Sequence, residues 1–217
     1  AAVVKADAYG LGAARVAPIL WAAGCRTFYV AMPKEGSILR SCLPDEASIA
    51  VLNGPAPGGC GIFIKDRLMP VLNDFAQIED WRRAAAPGAP SAVLHVDTGM
   101  TRLGLTPADV IRLSTEPDRV QGIKFSMIMS HLACADEPSH ELNEIQRTSF
   151  EEMRTALAPV IGAVPASLAN SSGIYLGSDY HLQMVRPGVA IYGVNANHHT
   201  SDPVEQVIHL YGRVQQV

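Results

Sequence analysis

The sequence predicts an α/β fold of the (β/α)8 barrel type, in which parallel strands alternate with outer helices. Short apolar runs alternate with helix-length amphipathic stretches, in about eight βα units. The apolar runs are nearly continuous, which is typical of parallel strands covered on both faces. Unusual polar residues follow several of these runs, and a barrel would gather them at one mouth. An open doubly wound sheet is the alternative fold.

The predicted strands are short apolar runs bounded by turn-forming residues. In chain order they are Val3–Lys5, Arg26–Ala31, Ser48–Leu52, Met69–Leu72, Ala92–Asp97, Ile123–Ser130, Pro165–Asn170 and a last region formed by Leu182–Arg186 with Val189–Tyr192. Glycine and proline are concentrated over Asn53–Gly61, which predicts a loop there.

The predicted helices are recognised by the residues at their ends. Gly24 suits a helix C-terminus, and Pro44 stops the second helix from running further. Thr106, Pro107 and Asp109 form a helix start, with a cap, a first-turn proline and an acid near the positive end. The helices are Leu11–Gly24, Lys34–Cys42, one capped by Asn73 or Asp74 that runs to about Ala86, one from Thr106, and Ser139–Ala158.

Composition excludes several classes of function. The chain has 217 residues, 48% of them hydrophobic, and a net charge of −4. Its basic residues are scattered, so we expect no nucleic-acid partner. No apolar run reaches membrane-spanning length, so we expect no membrane association. The four cysteines are far apart and read as reduced thiols, which predicts a cytoplasmic protein.

The sequence predicts two parts of unequal size. Residues 1–197 form the barrel, and residues 198–217 form a linker and the first strand of a C-terminal β domain. Polar residues are concentrated over Asn195–Asp202, and the following segment Val207–Val214 has strand character.

Lys5 is the first candidate for chemistry. It closes an apolar run and is followed at once by Ala6–Gly12, which contains two glycines. An ammonium is costly to desolvate at a buried strand end, and a lysine there often performs amine chemistry on a carbonyl. A strand-end lysine that extends its charge to solvent is the alternative interpretation.

A lysine that forms a Schiff base with pyridoxal phosphate needs phosphate donors, a partner for the ring nitrogen and a group against the ring. Asn170 and Ser171 begin a polar segment that could hold the phosphate or simply cap a helix. Gly188 could add backbone donors or be a turn glycine. Arg186 could face the ring nitrogen or pair with a helix carboxylate, and His131 could stack on the ring or be a core histidine.

The amino-acid sequences of these segments closely resemble motifs of alanine racemases. The matching segments occur in the family's order: VVKADAYG at 3–10, HVDTGMTRLG at 95–104, SHLA at 130–133, NSS at 170–172 and RPGVAIYG at 186–193. The resemblance implies a racemase that interconverts L- and D-alanine by two-base proton transfer and supplies D-alanine for peptidoglycan. It also implies a homodimer for the full-length protein.

The resemblance implies a role for each matching residue. Lys5 would carry pyridoxal phosphate as a covalent Schiff base and act as one catalytic base. Arg102 would orient the opposing base, His131 would lie against the cofactor ring, and Arg186 would partner the ring nitrogen. The cofactor contacts implied are Lys5, Tyr9, His131, Asn170, Ser171, Arg186, Gly188 and Val189, with no metal.

The chain departs from the family pattern beside Arg102. Many family members have a carbamylated lysine where this chain has His95. The anion that supports Arg102 could be replaced by a bound chloride, or His95 could support Arg102 directly.

The ends of the chain also depart from the pattern. No residue matches the tyrosine of the C-terminal β domain that serves as the second base in the family. The chain therefore reads as clipped at both ends, and we expect it to be a poor racemase by itself.

The sequence is also compatible with other functions. A pyridoxal-phosphate-binding barrel with a storage role fits the segments 97–104 and 186–193 poorly, and a non-enzymatic binding module requires an unreactive Lys5. A broad-specificity amino-acid racemase is a third alternative. A metal site formed by His198 and His199 with His181 or His209 is the least favoured, because adjacent loop histidines point apart.

Overall fold

The computed structural model describes residues 1–197, 204–209 and 211–216. Its seven strands form one parallel sheet in which every strand pairs with the next in sequence. The strands are β1 Ala2–Val3, β2 Thr27–Val30, β3 Ser48–Val51, β4 Met69–Leu72, β5 Ala92–His95, β6 Phe125–Met129 and β7 Ala166–Ser167. This order is that of a barrel rather than of a doubly wound sheet, in which the strand order reverses.

The eighth position of the barrel is filled by the irregular segment 183–187. Gln183 and Arg186 donate their amides to carbonyls in and just after β7, at 3.2 and 2.9 Å. On its other side, the N-terminal ammonium of Ala1 and the amide of Val3 donate to carbonyls of this segment, at 3.0 and 2.9 Å. The segment therefore closes the barrel, although the proline at its end cannot donate to a regular ladder.

Helices cover the outside of the sheet. They are α1 Ala13–Ala22, α2 Pro33–Cys42, α3 Cys60–Lys65, α4 Phe75–Ala84, α5 Pro107–Thr115 and α6 Leu142–Ile161. Capping chemistry sets two of the starts as predicted: the Asp74 side chain accepts from the Gln77 amide at 2.8 Å, and Thr106 accepts from Asp109 at 3.2 Å. Helix α3 begins inside the loop predicted for 53–61. The sequence did not predict this helix, because six residues are too few to show a periodic pattern.

The last predicted strand region requires a correction. Val189–Tyr192 is a 3-10 helix, and not a strand. The two glycines that flank it, Gly188 and Gly193, break the extended conformation, and Gly193 adopts a left-handed φ of 76°.

The described residues beyond 197 do not show the expected strand. Residues 204–209 and 211–216 carry no regular secondary structure, and the remaining residues of this segment lie outside the described part. A strand requires a partner for its ladder, and none of the described residues supplies one here. The division into a barrel and a second β domain therefore stays a prediction.

Two apolar layers hold the fold. Alternate residues of each strand face opposite sides of the sheet, so Phe28 and Val30 pack against the helices while Tyr29 points into the barrel. The inner layer consists of Val3, Tyr29, Ala50, Val71, Val93, Met127 and Met129, all at most 8% exposed. The larger opening of the barrel interior in the described part of the chain lies where the polar strand ends meet.

Candidate active site

A cavity of about 640 Å3 opens at the carboxyl ends of the strands. Residues that the sequence places after different strands meet there, as a barrel requires. Every predicted site residue lines it: Lys5, Tyr9, Arg102, His131, Asn170, Ser171, Arg186, Gly188 and Val189, together with His95. The structure therefore brings the predicted set together, while the role of each member remains a proposal.

Lys5 begins a left-handed turn. The four residues after it, Ala6–Tyr9, have φ between 51° and 55°, and Gly10 ends the turn. Each non-glycine residue in this conformation costs roughly 1–2 kcal/mol. Such strain persists only where the surrounding structure enforces it, and it is concentrated at functional sites in proteins.

Carboxylates fix this turn from two sides. The amide of Ala6 donates to Glu35 Oε1 at 2.6 Å, and the amide of Ala13 donates to Asp7 Oδ1 at 2.7 Å. The ring of Tyr9 packs on Tyr192 with centroids 5.3 Å apart. As a result, Lys5 and Tyr9 both face the cavity although they are only four residues apart.

Arg186 is a buried cation without a carboxylate partner. Its side chain is 3% exposed, and its guanidinium donates to the carbonyls of Ser130 and Leu168, at 2.5 and 3.3 Å, and to the hydroxyl of Ser167. No ion pair involves Arg186 within the described ranges, so the predicted alternative of a helix carboxylate is not realised. Burial lowers its pKa to about 10, which leaves it charged at neutral pH.

Hydrogen-bond donors converge at another part of the cavity wall. The Ser171 hydroxyl accepts from the amides of Gly188 and Ala190, at 2.8 and 3.3 Å. The Tyr9 hydroxyl lies so close to Gly188 that a Cβ there would collide with it. Asn170 is engaged within the protein, because its Oδ1 accepts from the Gly173 amide at 2.9 Å.

His131 and His95 are held neutral. Burial and the nearby Arg186 and Arg102 cations lower the pKa of His131 to about 3. Burial and Arg186 lower the pKa of His95 to about 3 as well. Neither ring therefore carries a charge at neutral pH, which limits both to packing and to hydrogen bonding as neutral imidazoles.

Asn73 determines which nitrogen of His95 carries the proton. The amide nitrogen of Asn73 donates to the carbonyls of Leu52 and Val71, at 3.1 and 3.0 Å, so its Oδ1 is the atom that faces His95. That oxygen lies 2.7 Å from His95 Nδ1 and can only accept. Nδ1 of the neutral ring is therefore protonated, and Nε2 presents a lone pair.

Arg102 lies on the loop that follows β5. Asp97 organises this loop, because its Oδ1 accepts from the amides of Gly99 and Thr101, at 2.9 and 3.0 Å. Arg102 is exposed and reaches the cavity from its rim. Asp97, which the sequence groups with Arg102, thus supports the loop.

Sequence reasoning missed Asn73 and Glu35 as part of the site. Asn73 follows β4 in the same way that the predicted polar residues follow other strands, and this position was a usable signal. Glu35 gave no such signal, because its contact with Ala6 joins residues 29 positions apart.

The family model described as the N-terminal domain of alanine racemase matches residues 1–196. The chain belongs to the alanine racemase family. It is 46% identical to an alanine racemase of Rhodospirillum rubrum and 44% identical to one of Rhizobium meliloti, with all of this chain aligned in both.

Solved structures agree with this membership. The barrel superimposes on alanine racemase from Bartonella henselae, which has covalently bound pyridoxal phosphate, with a TM-score of 0.85 and 38% identity over 95% of this chain. An alanine racemase from Streptomyces coelicolor gives 0.82 and 35% over 90%. The chain spans just over half of these relatives: 58% and 56% of the two sequences, and 59% and 55% of the two structures.

The remaining predictions concern membranes and metals. None of the described helices has the length and apolarity needed to span a bilayer. The proposed metal site involves His198 and His199, which lie outside the described residues. Of its other candidates, His181 bonds the Ile174 carbonyl at 2.8 Å and His209 stacks on Tyr211.

Proposed function

We propose that this chain forms the cofactor-binding barrel of a pyridoxal-phosphate-dependent alanine racemase, with the cofactor attached covalently to Lys5. The observation that carries the proposal is the meeting of Lys5, the buried cation Arg186 and a cluster of phosphate-type donors in one cavity. The covalently bound cofactor of the Bartonella henselae relative supports the same assignment.

The residues present fit this cofactor. The hydroxyls of Ser171 and Tyr9 lie in one region beside the amides of Gly188 and Ala190, which donate to Ser171 in this structure and would turn to a phosphate when it binds. A side chain at position 188 would displace the Tyr9 hydroxyl from this region. Val189 and Asn170 complete this wall of the cavity.

Arg186 would face the ring nitrogen. With a pKa of about 10, the guanidinium keeps its protons at neutral pH, so it donates a hydrogen bond and does not transfer a proton. Three protein acceptors already fix its orientation. His131, neutral at the same pH, would pack against the ring without adding a second charge.

The bound cofactor delocalises the negative charge that remains on the substrate Cα after proton removal. Lys5 Nζ would remove or return the Cα proton on one face. Racemisation requires a second base on the opposite face, which the resemblance assigns to a tyrosine of the second subunit in a homodimer. The same proposal includes alanine as the substrate, the use of the D-alanine product for peptidoglycan, and a cytoplasmic location.

Arg102 would orient that second base from the rim of the cavity. His95 can support Arg102 directly, because its unprotonated Nε2 is an acceptor for a guanidinium. A chloride beside His95 is disfavoured by the same assignment, since the only N–H of the neutral ring is already bound to Asn73.

Reductive trapping tests the proposal. Pyridoxal phosphate is added to the chain, reduced with borohydride, and the labelled peptide is identified by mass spectrometry. A phosphopyridoxyl group on Lys5 alone is expected. Labelling scattered over surface lysines, with the chain folded by circular dichroism, would refute the cofactor assignment. If Lys5 is labelled but the full-length protein does not racemise alanine, the result would favour a storage barrel. If the full-length protein racemises larger amino acids as fast as alanine, the result would favour a broad-specificity racemase.

A further inference from the structure

Glu35 contacts backbone amides from two separate segments. Its Oε2 accepts from the amides of Ala31 and Met32, at 2.8 and 2.9 Å, where β2 leads into α2. Its Oε1 accepts from the amide of Ala6 at 2.6 Å. One half-buried carboxylate therefore joins the start of α2 to the residue that follows Lys5.

Helix capping explains only part of this arrangement. Asp109 occupies the equivalent position of α5, and its carboxylate reaches the amide and hydroxyl of Thr106, at 3.1 and 2.7 Å. Those contacts all lie within the start of α5. Glu35 makes the corresponding contact with Met32 through one oxygen and uses its other oxygen on the turn after Lys5.

The backbone of Lys5 is consequently fixed on both sides. Before it, the amide of Val4 donates to the carbonyl of Tyr29 in β2 at 2.9 Å. After it, Ala6 is the first residue with a left-handed φ, at 51°, and Glu35 holds its amide. A charged acceptor gives a stronger hydrogen bond than a neutral one, so this contact is well suited to stabilise a strained conformation.

We propose that Glu35 is a positioning residue for Lys5, which fixes the start of the left-handed turn and thereby directs the amine into the cavity. The inference rests on the proposed attachment of the cofactor to Lys5. Glu35 acts through the backbone and lies outside the set of residues that line the cavity.

Two variants separate this role from capping. Glu35→Asp keeps the charge and, as Asp109 shows for α5, can still reach the helix-start amide, but its side chain is one methylene shorter and loses Ala6. Glu35→Gln keeps the length of the side chain. If its amide oxygen still accepts from the amides of Ala31 and Met32, its NH2 faces the amide of Ala6 and cannot accept from it. Asp109→Asn is the matched control, since it weakens a capping acid on α5 only.

The test combines amide hydrogen exchange at Ala6, measured by NMR without cofactor, with borohydride trapping of pyridoxal phosphate on Lys5. We expect both Glu35 variants to accelerate Ala6 exchange about tenfold and to raise the half-saturating cofactor concentration about tenfold. Exchange at Ile49 in β3 should stay slow, which reports an intact fold. Asp109→Asn should change neither the Ala6 exchange nor the labelling.

The outcomes distinguish the two proposals. Unchanged Ala6 exchange in folded Glu35 variants, or faster exchange with unchanged labelling of Lys5, would overturn the positioning role alone. Fast exchange at Ile49 in Glu35→Gln together with normal behaviour of Glu35→Asp would show that the residue serves only the fold. Absence of Lys5 labelling in the unmodified chain would overturn the proposed function, and the positioning role with it.

Discussion

The two ends of the barrel are built from different kinds of side chain. At the carboxyl ends of the strands, Lys5, His95 and Arg186 line the large cavity. At the opposite end, a cavity of about 270 Å3 is lined by Thr27, Ser48 and Met69, which begin strands, and by the inward-facing Tyr29 and Met127. There the Tyr29 hydroxyl contacts the sulfur of Met127 at 3.4 Å, and no charged side chain lines the cavity wall in the described part of the chain.

The difference shows which end of the barrel contains the groups that are costly to bury and the strained backbone. The carboxyl end contains a buried guanidinium, two histidines with a pKa of about 3 and four left-handed residues. Burying a cation, keeping a histidine neutral and adopting a left-handed φ each carry a desolvation or strain cost that the surrounding contacts must offset, whereas no charged residue among those described lines the cavity at the opposite end. Their concentration at one end is typical of a site selected for chemistry.

The largest expected effect is at Lys5. Lys5→Ala should abolish specific trapping of pyridoxal phosphate, a loss of at least about hundredfold, because no other amine described in the structure lines the cavity. Mass spectrometry after borohydride reduction measures it. Lys124→Ala, an exposed lysine just before β6, is the control and should label normally; if Lys5→Ala labels as strongly as the unmodified chain, the carboxyl end is not the cofactor site.

The next effect compares one residue from each end. Arg186→Ala removes a buried side chain and leaves the carbonyls of Ser130 and Leu168 without their donor, so the free energy of unfolding should fall by about 3 kcal/mol. Tyr29→Phe removes a hydroxyl whose hydrogen bonds, among the described residues, are to the sulfurs of Met127 and Met184, and should cost less than about 1 kcal/mol. Urea unfolding measures both, and equal losses would contradict the contrast between the two ends.

Acid should weaken the carboxyl end selectively. The folded-state pKa of His95 and of His131 is about 3, below the ordinary 6.5, so between these values the unfolded chain binds protons that the folded chain does not. Stability should therefore fall as the pH drops below about 6.5, by up to about 1.4 kcal/mol per pH unit for each ring. His95→Gln should remove about half of this slope in urea unfolding, and an unchanged slope would contradict the account of the buried rings.

The smallest effect concerns the proton on His95. Nitrogen NMR should show the neutral ring with its proton on Nδ1, as the contact with Asn73 requires. Asn73→Ala should release this preference and shift the ring toward a mixture of tautomers. A proton on Nε2 in the unmodified chain would remove the support that His95 is proposed to give Arg102.

The sequence was sufficient for the architecture, and every residue it predicted for the site lines the cavity. Alternating apolar runs locate seven strands, and the polar residues after them identify the mouth. The 3-10 helix at Val189–Tyr192 could not be told from a strand, because a short apolar run has no periodicity of its own. Helix α3 was not predicted for the same reason.

The roles of Glu35 and Asn73 depended on tertiary contacts. Glu35 is an ordinary helix-start acid in sequence, and only folding brings it to Ala6. Asn73 was recognised as a possible cap, whereas Asp74 caps α4 and Asn73 instead binds His95. Local sequence therefore predicted which residues reach the site and not which residues hold them there.

A crystal structure of the chain grown with pyridoxal phosphate tests the central claim most directly. We expect continuous density from Lys5 Nζ to the cofactor, with the phosphate beside Ser171 and Gly188 and the ring nitrogen toward Arg186. Cofactor bound at another lysine, or density in the cavity with no link to Lys5, would contradict it.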